Sequence, residues 1–557
     1  MSSSIHPLTR LWKIVRAERQ EVRAILTFAI FQGLVSLSLP LGIQAIINFL
    51  QAGRLSTSWY VLTAFVLSGI LLTGYLQLKQ MAVSETIEQR LFANTTFEFS
   101  MRIPRFSMWS TEGKYIPELM NRFFEVSTVQ KGLSKLLVDF SAAVVQIIFG
   151  LGLLSAYHIS FLMMALLLIV ILYIIFRLTG PRGLSTSMEE SKYKFAVAHW
   201  LEEISRALAT FKLAGRSSLP IDRSNELTNG YLKARLQHFL ILMTQYRAMI
   251  FFKFVVTAAL IIIGSVLVVN QKINIGQFVA AEIVVLLVIG SVEKIILSMS
   301  TVYDVLTALD KLGSITDIPL ERETGEKLET QAGAEGLEVS VKNLTFKFPG
   351  MIAPVIKNIS IEIKAGETVC ITGPNGSGKT TLLRLLSGFY ENFDGVIAYN
   401  QLPIGNLHLG SLRAVVGENF IEQNVFKGTL LDNINCGLPG LELEDAMRAA
   451  RQARLDQFIT GLPEGYNTML DPEGHRLPGS VVKKIILARC FVNHPRLLLI
   501  EDNFGALTVD ERKKFLDTIL EECKNITTII ITTDDSLIKR CDHVFTLDKG
   551  EVITSNI

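Results

Sequence analysis

Gly373-Pro374-Asn375-Gly376-Ser377-Gly378-Lys379-Thr380-Thr381 is the stretch on which the reading of this sequence turns. It has the form G-x-x-x-x-G-K-[ST], a phosphate-binding loop. Glycines let the backbone curl until successive N–H groups face phosphate oxygens. Lys379 supplies a point charge, and the Thr380 hydroxyl is placed to hold Mg²⁺. Glu367-Thr368-Val369-Cys370-Ile371-Thr372 before it reads as a strand, and Leu382-Leu383-Arg384-Leu385-Leu386 after it as a helix. An ordinary Gly-rich turn needs neither flank. The helix N-terminus adds its positive end to the anion site. The expected ligand is a nucleoside triphosphate with its Mg²⁺.

The rest of the chain divides in two. Hydrophobic residues make up 49% of the sequence and charged ones 19%. Up to about residue 300 the apolar runs are of membrane-spanning length. Beyond about 338 short strands, helices and Gly-rich loops take over. The net charge of +2, with no basic block, gives no reason to expect a nucleic acid. All five cysteines fall in the second part without C-x-x-C spacing, so a reduced cytosolic domain without disulfides or zinc is expected. The first apolar run is long and lacks a small-residue cleavage site, which argues against a removable signal peptide.

Six spans are predicted, at about 23–49, 58–82, 136–156, 160–179, 246–269 and 276–299. Only Ala156-Tyr157-His158-Ile159-Ser160 separates the third from the fourth, so a tight turn must lie there. Arg10, Lys13, Arg16, Arg19 and Arg23 precede the first span, and the loops 83–135 and 180–245 are also rich in Lys and Arg. The short connections hold little more than Arg54 and Lys272. Positive charge therefore places the N-terminus, both long loops and the nucleotide domain in the cytosol. The division expected is a membrane domain over 1–315, a linker over 316–337 and a nucleotide domain over 338–557. The fold class is thus an all-α six-helix transmembrane domain plus an α/β phosphate-loop ATPase domain. Glu282, about seven residues into the sixth span, is an expensive group at that depth and a candidate for an intramembrane role. Gln44 and Asn48 in the first span suit interhelical hydrogen bonds.

Together these features resemble a half-transporter of the ABC exporter family. Leu37-Ser38-Leu39-Pro40-Leu41-Gly42-Ile43-Gln44-Ala45-Ile46-Ile47-Asn48 is most similar to the first membrane helix of haemolysin-type peptide and protein secretion exporters. No peptidase domain is expected before it. The resemblance implies a bacterial inner membrane, a dimer of two halves (homodimer or paralogous heterodimer), and two ATPs between the phosphate loop of one half and the signature loop of the other. Exporters of this type also work with a periplasmic adaptor and an outer-membrane channel. Coupling segments are expected near Phe106–Gly113 and Arg216–Asp222.

Carried over position by position, the match is uneven. Phe348 falls where the family stacks an aromatic ring on adenine, and Gly373 to Thr381 match throughout. The glutamine that faces Mg²⁺ and the attacking water aligns on Ile421; Gln423, two residues on, is a weak substitute. The signature Leu-Ser-Gly-Gly-Gln reads Leu477-Pro478-Gly479-Ser480-Val481. Pro478 brings neither a hydroxyl nor an N–H. After the strand Leu497–Ile500 the family's Asp-Glu is inverted to Glu501-Asp502. This leaves Glu501 as the candidate Mg²⁺ group and Asp502 as a weak candidate base, each displaced by one carbon–carbon bond, about 1.5 Å. Asn503, Phe504 and Thr508 also depart from the family pattern, and Thr533 stands at the switch histidine.

These departures cluster on γ-phosphate chemistry and spare the phosphate loop. Two functions follow. One is an exporter half for a peptide, protein or amphipathic compound with impaired hydrolysis. The other is a membrane scaffold or regulator of a secretion complex, switched by ATP binding without turnover.

Overall fold

The computed structural model describes residues 6–51, 57–328, 335–420, 423–502, 508–522 and 525–556. By its internal contacts the chain forms two units, Met1–Pro104 with Tyr115–Ile318, and Arg105–Lys114 with Pro319–Ile557. Pro319 follows the end of a long helix at Thr316, where its missing N–H suits a chain leaving a helix. From there the chain pairs with the excursion at 105–107. Ser107 N–H donates to Pro319 O at 2.9 Å, and Glu321 N–H to Arg105 O at 2.8 Å.

The first unit is helical. Arg19–Gln51, Thr57–Arg105, Ile116–Tyr157, Leu219–Val269 and Ile275–Thr316 are each long and apolar enough to cross a membrane. The remaining expected span, 160–179, opens the 48-residue helix Ile159–Arg206. Several of its side chains lie outside the described residues, so five spans stand on this measure, against the six expected. The tight turn before it is a single extended residue. His158, with φ −162° and ψ 147°, also caps the new helix by accepting from Ser160 N–H at 3.1 Å. The first span is a broken pair, Arg19–Ser36 and Ser38–Gln51. Pro40 falls in the first turn of the second piece, where its missing N–H removes no helical bond.

Thr57–Arg102 runs for 46 residues. At about 1.5 Å per residue it extends about 69 Å, roughly twice the hydrocarbon thickness of about 30 Å, so the helix projects well past the bilayer. Apolar packing of Phe252, Val256, Leu260, Ala281, Val284 and Val288 joins the last two long helices. Polar side chains bond between helices: Tyr157 OH to Gln44 Oε1 at 2.6 Å, Gln80 Nε2 to Gln32 Oε1 at 2.8 Å, and Ser291 Oγ to Gln146 Oε1 at 3.0 Å. Gly276 lets the last helix come close to the first span, since a Cβ there would lie 2.5 Å from Asn48 Oδ1.

The second unit is α/β. Its strands are β1 (Val339–Phe346), β2 (Ile356–Ile363), β3 (Thr368–Thr372), β4 (Asp394–Tyr399), β5 (Leu402–Pro403), β6 (Val416–Asn419), β7 (Gly428–Thr429), β8 (Met469–Leu470), β9 (Leu497–Glu501), β10 (Thr527–Ile531), β11 (His543–Asp548) and β12 (Glu551–Asn556). One sheet has the order β2-β1-β4-β5; a six-stranded sheet has the order β12-β11-β3-β10-β9-β6; β7 and β8 pair alone. In the six-stranded sheet β3, β6, β9, β10 and β11 run parallel to one another, and β12 closes the edge antiparallel to β11. The near-continuous apolar runs Leu497–Ile500 and Ile529–Ile531 are buried, as expected for strands covered on both faces. The register puts Ile531 level with both Ile371 and Glu501, so β3, β9 and β10 end at one edge. The carboxyl edge of parallel strands is where such sheets bind ligands.

Candidate functional site

The phosphate loop leaves that edge from β3 and enters the helix Lys379–Leu386. Gly373, Gly376 and Gly378 have φ of +137°, +81° and +102°, a region L side chains rarely adopt. Gly373 has no room for a side chain either, because a Cβ would lie 2.0 Å from Leu547 O. Pro374, Asn375 and Ser377 complete the curl, with Ser377 N–H donating to Pro374 O at 3.3 Å. The Lys379 ammonium donates to the carbonyls of Gly373 and Pro374, both at 2.8 Å, and so sits across the loop. Burial pulls its pKa down, while the nearby Glu501 carboxylate works against that shift.

Thr380 Oγ1 donates to Glu501 Oε1 at 2.5 Å, with Thr381 next to it in the first helical turn. Glu501 ends β9 and is 5% exposed. A hydroxyl and a carboxylate side by side form a hard oxygen donor set of the kind Mg²⁺ takes together with phosphate oxygens. The residues present therefore fit a nucleotide with Mg²⁺. When bound, the metal would neutralise phosphate charge; the loop, Lys379, Thr380 and Glu501 are the groups that would hold it with the nucleotide.

Phe348 lies just after β1, half-buried. Its ring stands edge-on to Phe346, with centroids 4.9 Å apart, and to Tyr390 at 5.5 Å. Tyr390 OH donates to Glu112 Oε2 at 3.0 Å, and burial, then Glu112, pushes its pKa up to about 12. Glu112 follows the short helix Met108–Thr111, whose Trp109 packs on Phe346. The other expected coupling segment differs from expectation. Arg216–Asp222 forms no separate helix: it spans coil and the first turn of Leu219–Val269, and the short helix is Leu208–Leu213. Gly215, at φ +70°, turns the chain between them.

The residues expected to act on the γ-phosphate are arranged otherwise. Asp502 Oδ2 accepts from Arg512 and, at 2.6 Å, from Thr532 Oγ1. Thr533 is exposed, while the neighbouring Thr532 is buried and turned to Asp502. Leu477 and Pro478 lead into the helix Gly479–Phe491; Pro478 is its N-cap residue and makes no side-chain cap. Ser480 is half-buried and Val481 buried. Gln423 is half-buried near the end of β6; Ile421, Asn503 and Phe504 lie outside the described residues. Thr508 opens the helix Val509–Glu522 through a reciprocal cap with Glu511, at 3.0 and 3.2 Å. Bonded first by Lys484 and then by this cap, the Glu511 carboxylate is held down at about 2. Glu282 is on the exposed side of Ile275–Thr316 within the first unit.

Arg512, Thr532, Asp534 and Tyr390 escaped the sequence reading, and Glu112 entered it only as part of the expected coupling segment Phe106–Gly113. None lies in a motif, and only the strand register and the excursion at 105–114 bring them to the site.

Comparison with known proteins agrees with this anatomy. Residues 22–292 match the ABC transporter transmembrane region family and residues 356–504 match the ABC transporter family. The alpha-hemolysin translocation ATP-binding protein HlyB of Escherichia coli O157:H7 is 27% identical over 351 residues, 63% of this chain and 49% of that one. The leukotoxin export ATP-binding protein LtxB of Aggregatibacter actinomycetemcomitans is 28% identical over 291 residues, 52% of this chain and 41% of that one. Heavy metal tolerance factor 1 of Caenorhabditis elegans is 34% identical over 215 residues, 39% of this chain and 27% of that one. This chain thus matches about half the length, or less, of these curated relatives. A solved bacterial Atm1-family ABC exporter with ATP bound superposes with a TM-score of 0.83 at 19% identity, over 97% of this chain and 95% of that one. That likeness shows the fold. With a transmembrane region and an ATP-binding domain on one polypeptide, the chain belongs to the ABC transporters as a half-transporter of exporter fold.

Proposed function

We propose that this chain is one half of a dimeric exporter that binds MgATP firmly, hydrolyses it slowly, and moves a peptide, protein or amphipathic compound out of the cytosol. The observation that carries the reading is a division within the nucleotide site. Thr380, Glu501, Lys379 and the loop glycines keep the arrangement needed to hold MgATP. Asp502, the group placed to activate water, is instead bonded to Arg512 and Thr532.

ATP would bind along Gly373–Thr381 with adenine on Phe348, and Thr380 and Glu501 would take Mg²⁺. The second half, a copy of this chain or a paralogue, would present Leu477–Val481 to the nucleotide. The tip of the second long loop supports a partner: Leu213 is 88% exposed and Ile221 73% exposed, an apolar end with nothing over it within its own unit. The resemblance to haemolysin and leukotoxin exporters supports a peptide or protein cargo, an inner-membrane location with cytosolic N-terminus and nucleotide domain, and six spans. It also supports a periplasmic adaptor and outer-membrane channel as partners.

A second reading, a non-hydrolysing ATP-switched scaffold or regulator, is favoured by Pro478. That residue begins the signature helix without a side-chain cap and offers no donor to a γ-phosphate. The deciding experiment is ATP turnover and binding by the purified chain in lipid vesicles. Binding with turnover below about 0.1 per second, against a typical range of 1–10³ per second, supports the proposal. Turnover of several per second overturns it, and absence of any turnover selects the regulator.

A further inference from the structure

We propose that Arg512 is a positioning residue that restrains the nucleotide site by fastening the ends of β9 and β10 to the helix Val509–Glu522. The inference rests on the reading that Asp502 occupies the position of the water-activating group, and it gives that site a second brake besides the shortened side chain.

The geometry is a network centred on one Asp502 oxygen, with the Arg512 Nε buried and unpartnered among the described residues. One guanidinium nitrogen of Arg512 donates to Asp502 Oδ2 and lies 3.3 Å from Asp534 Oδ2. Thr532 Oγ1 donates to the same Asp502 oxygen at 2.6 Å and accepts from Asp534 N–H at 3.1 Å. Asp502 N–H donates to Ile531 O at 2.9 Å, which ties the carboxylate's own backbone to β10. The Asp502 side chain is 10% exposed and that of Arg512 32%, so the carboxylate end of the pair is the one shielded from water. Arg512 itself is anchored by backbone, its N–H donating to Thr508 O at 2.8 Å.

Two elements that would face a γ-phosphate are held at once. Asp502 follows β9, and Thr533 lies between Thr532 and Asp534, both members of the network. A carboxylate oxygen with two donors, one of them charged, has little freedom to turn toward a water on the phosphate side. Charge-assisted bonds of this kind are about twice as strong as neutral ones. One guanidinium nitrogen serves both carboxylates, so a lysine ammonium, a shorter side chain with donors of its own, should keep that bridge only in part. Beyond the guanidinium lies a cavity of about 400 Å³ lined also by Leu516, Leu537 and Arg540.

The test uses the full chain in lipid vesicles, in two backgrounds: the natural sequence, and one carrying Thr533→His and Pro478→Ser, which keeps Asp502 and its partners. In each, Arg512→Met and Arg512→Lys are compared with the parent for kcat, KM and ATP affinity. Because a positioned base contributes about 10²–10⁴-fold, partial release should raise kcat of the substituted background about tenfold with Arg512→Met. KM and ATP affinity should stay within about threefold, and Arg512→Lys should fall between. A purely structural role would instead move kcat and affinity together through loss of folded protein. Unchanged or lower kcat with Arg512→Met overturns the restraint. If that variant does not yield folded dimer, Arg512→Lys decides: a kcat equal to its parent overturns the idea. Fast turnover by the natural chain overturns the slow-hydrolysis reading separately, whatever Arg512 does.

Discussion

The Thr380 hydroxyl donates to Glu501 Oε1 across 2.5 Å, joining the first turn after the phosphate loop to the end of β9. The glutamate side chain thus reaches the hydroxyl proposed to hold Mg²⁺. This contact makes retention of MgATP binding the first expectation for the site.

Lys379→Ala should weaken ATP binding tenfold or more, taking about 1.5–3 kcal/mol for a hydrogen bond to a charged group. Glu501→Ala should preferentially weaken binding of MgATP over ATP in chelator. Fluorescent-nucleotide titration with and without Mg²⁺ reads both. Absence of ATP binding by the natural chain at millimolar nucleotide would contradict the assignment of the loop.

Restoring one consensus residue should change hydrolysis little. Asp502→Glu alone leaves Pro478 and Thr533 unrestored and keeps Arg512 and Thr532 as neighbours of the new carboxylate, and groups that act as a unit do not contribute additively. The combination Glu501→Asp, Asp502→Glu, Thr533→His and Pro478→Ser should give measurable turnover in a coupled phosphate-release assay. A large gain from Asp502→Glu by itself would show that the other positions are not limiting.

Purified chain should run as a dimer in native mass spectrometry. A closed two-fold arrangement is the simplest way to cover the apolar tip at Leu213 and Ile221 and to bring a signature loop to each phosphate loop. A species that stays monomeric at micromolar concentration, with MgATP present, would count against the half-transporter assembly.

Glu418 gives the pH prediction. It lies on β6, half-buried with its Oε1 enclosed, and desolvation pushes its pKa up to about 7, with Arg413 opposing. In the unfolded chain the group ionises near its ordinary value of 4.5. Below that both states hold the proton and nothing is lost. As pH rises from there toward 7 the unfolded chain gives up its proton first, so stability falls, and above 7 the loss is complete. At about 1.4 kcal/mol per unit the penalty is of order 3 kcal/mol. Glu418→Gln should therefore raise the melting temperature at pH 8 and leave it nearly unchanged at pH 4.5. An equal shift at both pH values would show that the effect is packing and not ionisation.

What the sequence determined by itself was local. Three glycines, a lysine and a threonine at fixed spacing specify a loop whose backbone angles only glycine adopts readily, so Gly373 to Thr381 was legible without any partner. Apolar runs longer than a bilayer is thick announced the membrane helices in the same way, though not the break at Leu37 or the one-residue turn at His158, which depend on caps and neighbouring helices. Tertiary structure alone decided the state of the catalytic half. Asp502 lies 10 residues from Arg512 and 30 from Thr532. They meet because β9 and β10 run parallel in register and end at one edge, with the following helix returning over it. The same holds for Tyr390 and Glu112, which are 278 residues apart. A motif records which groups are present. Which of their lone pairs are already taken depends on side chains that distant segments deliver, and no spacing in the chain encodes that.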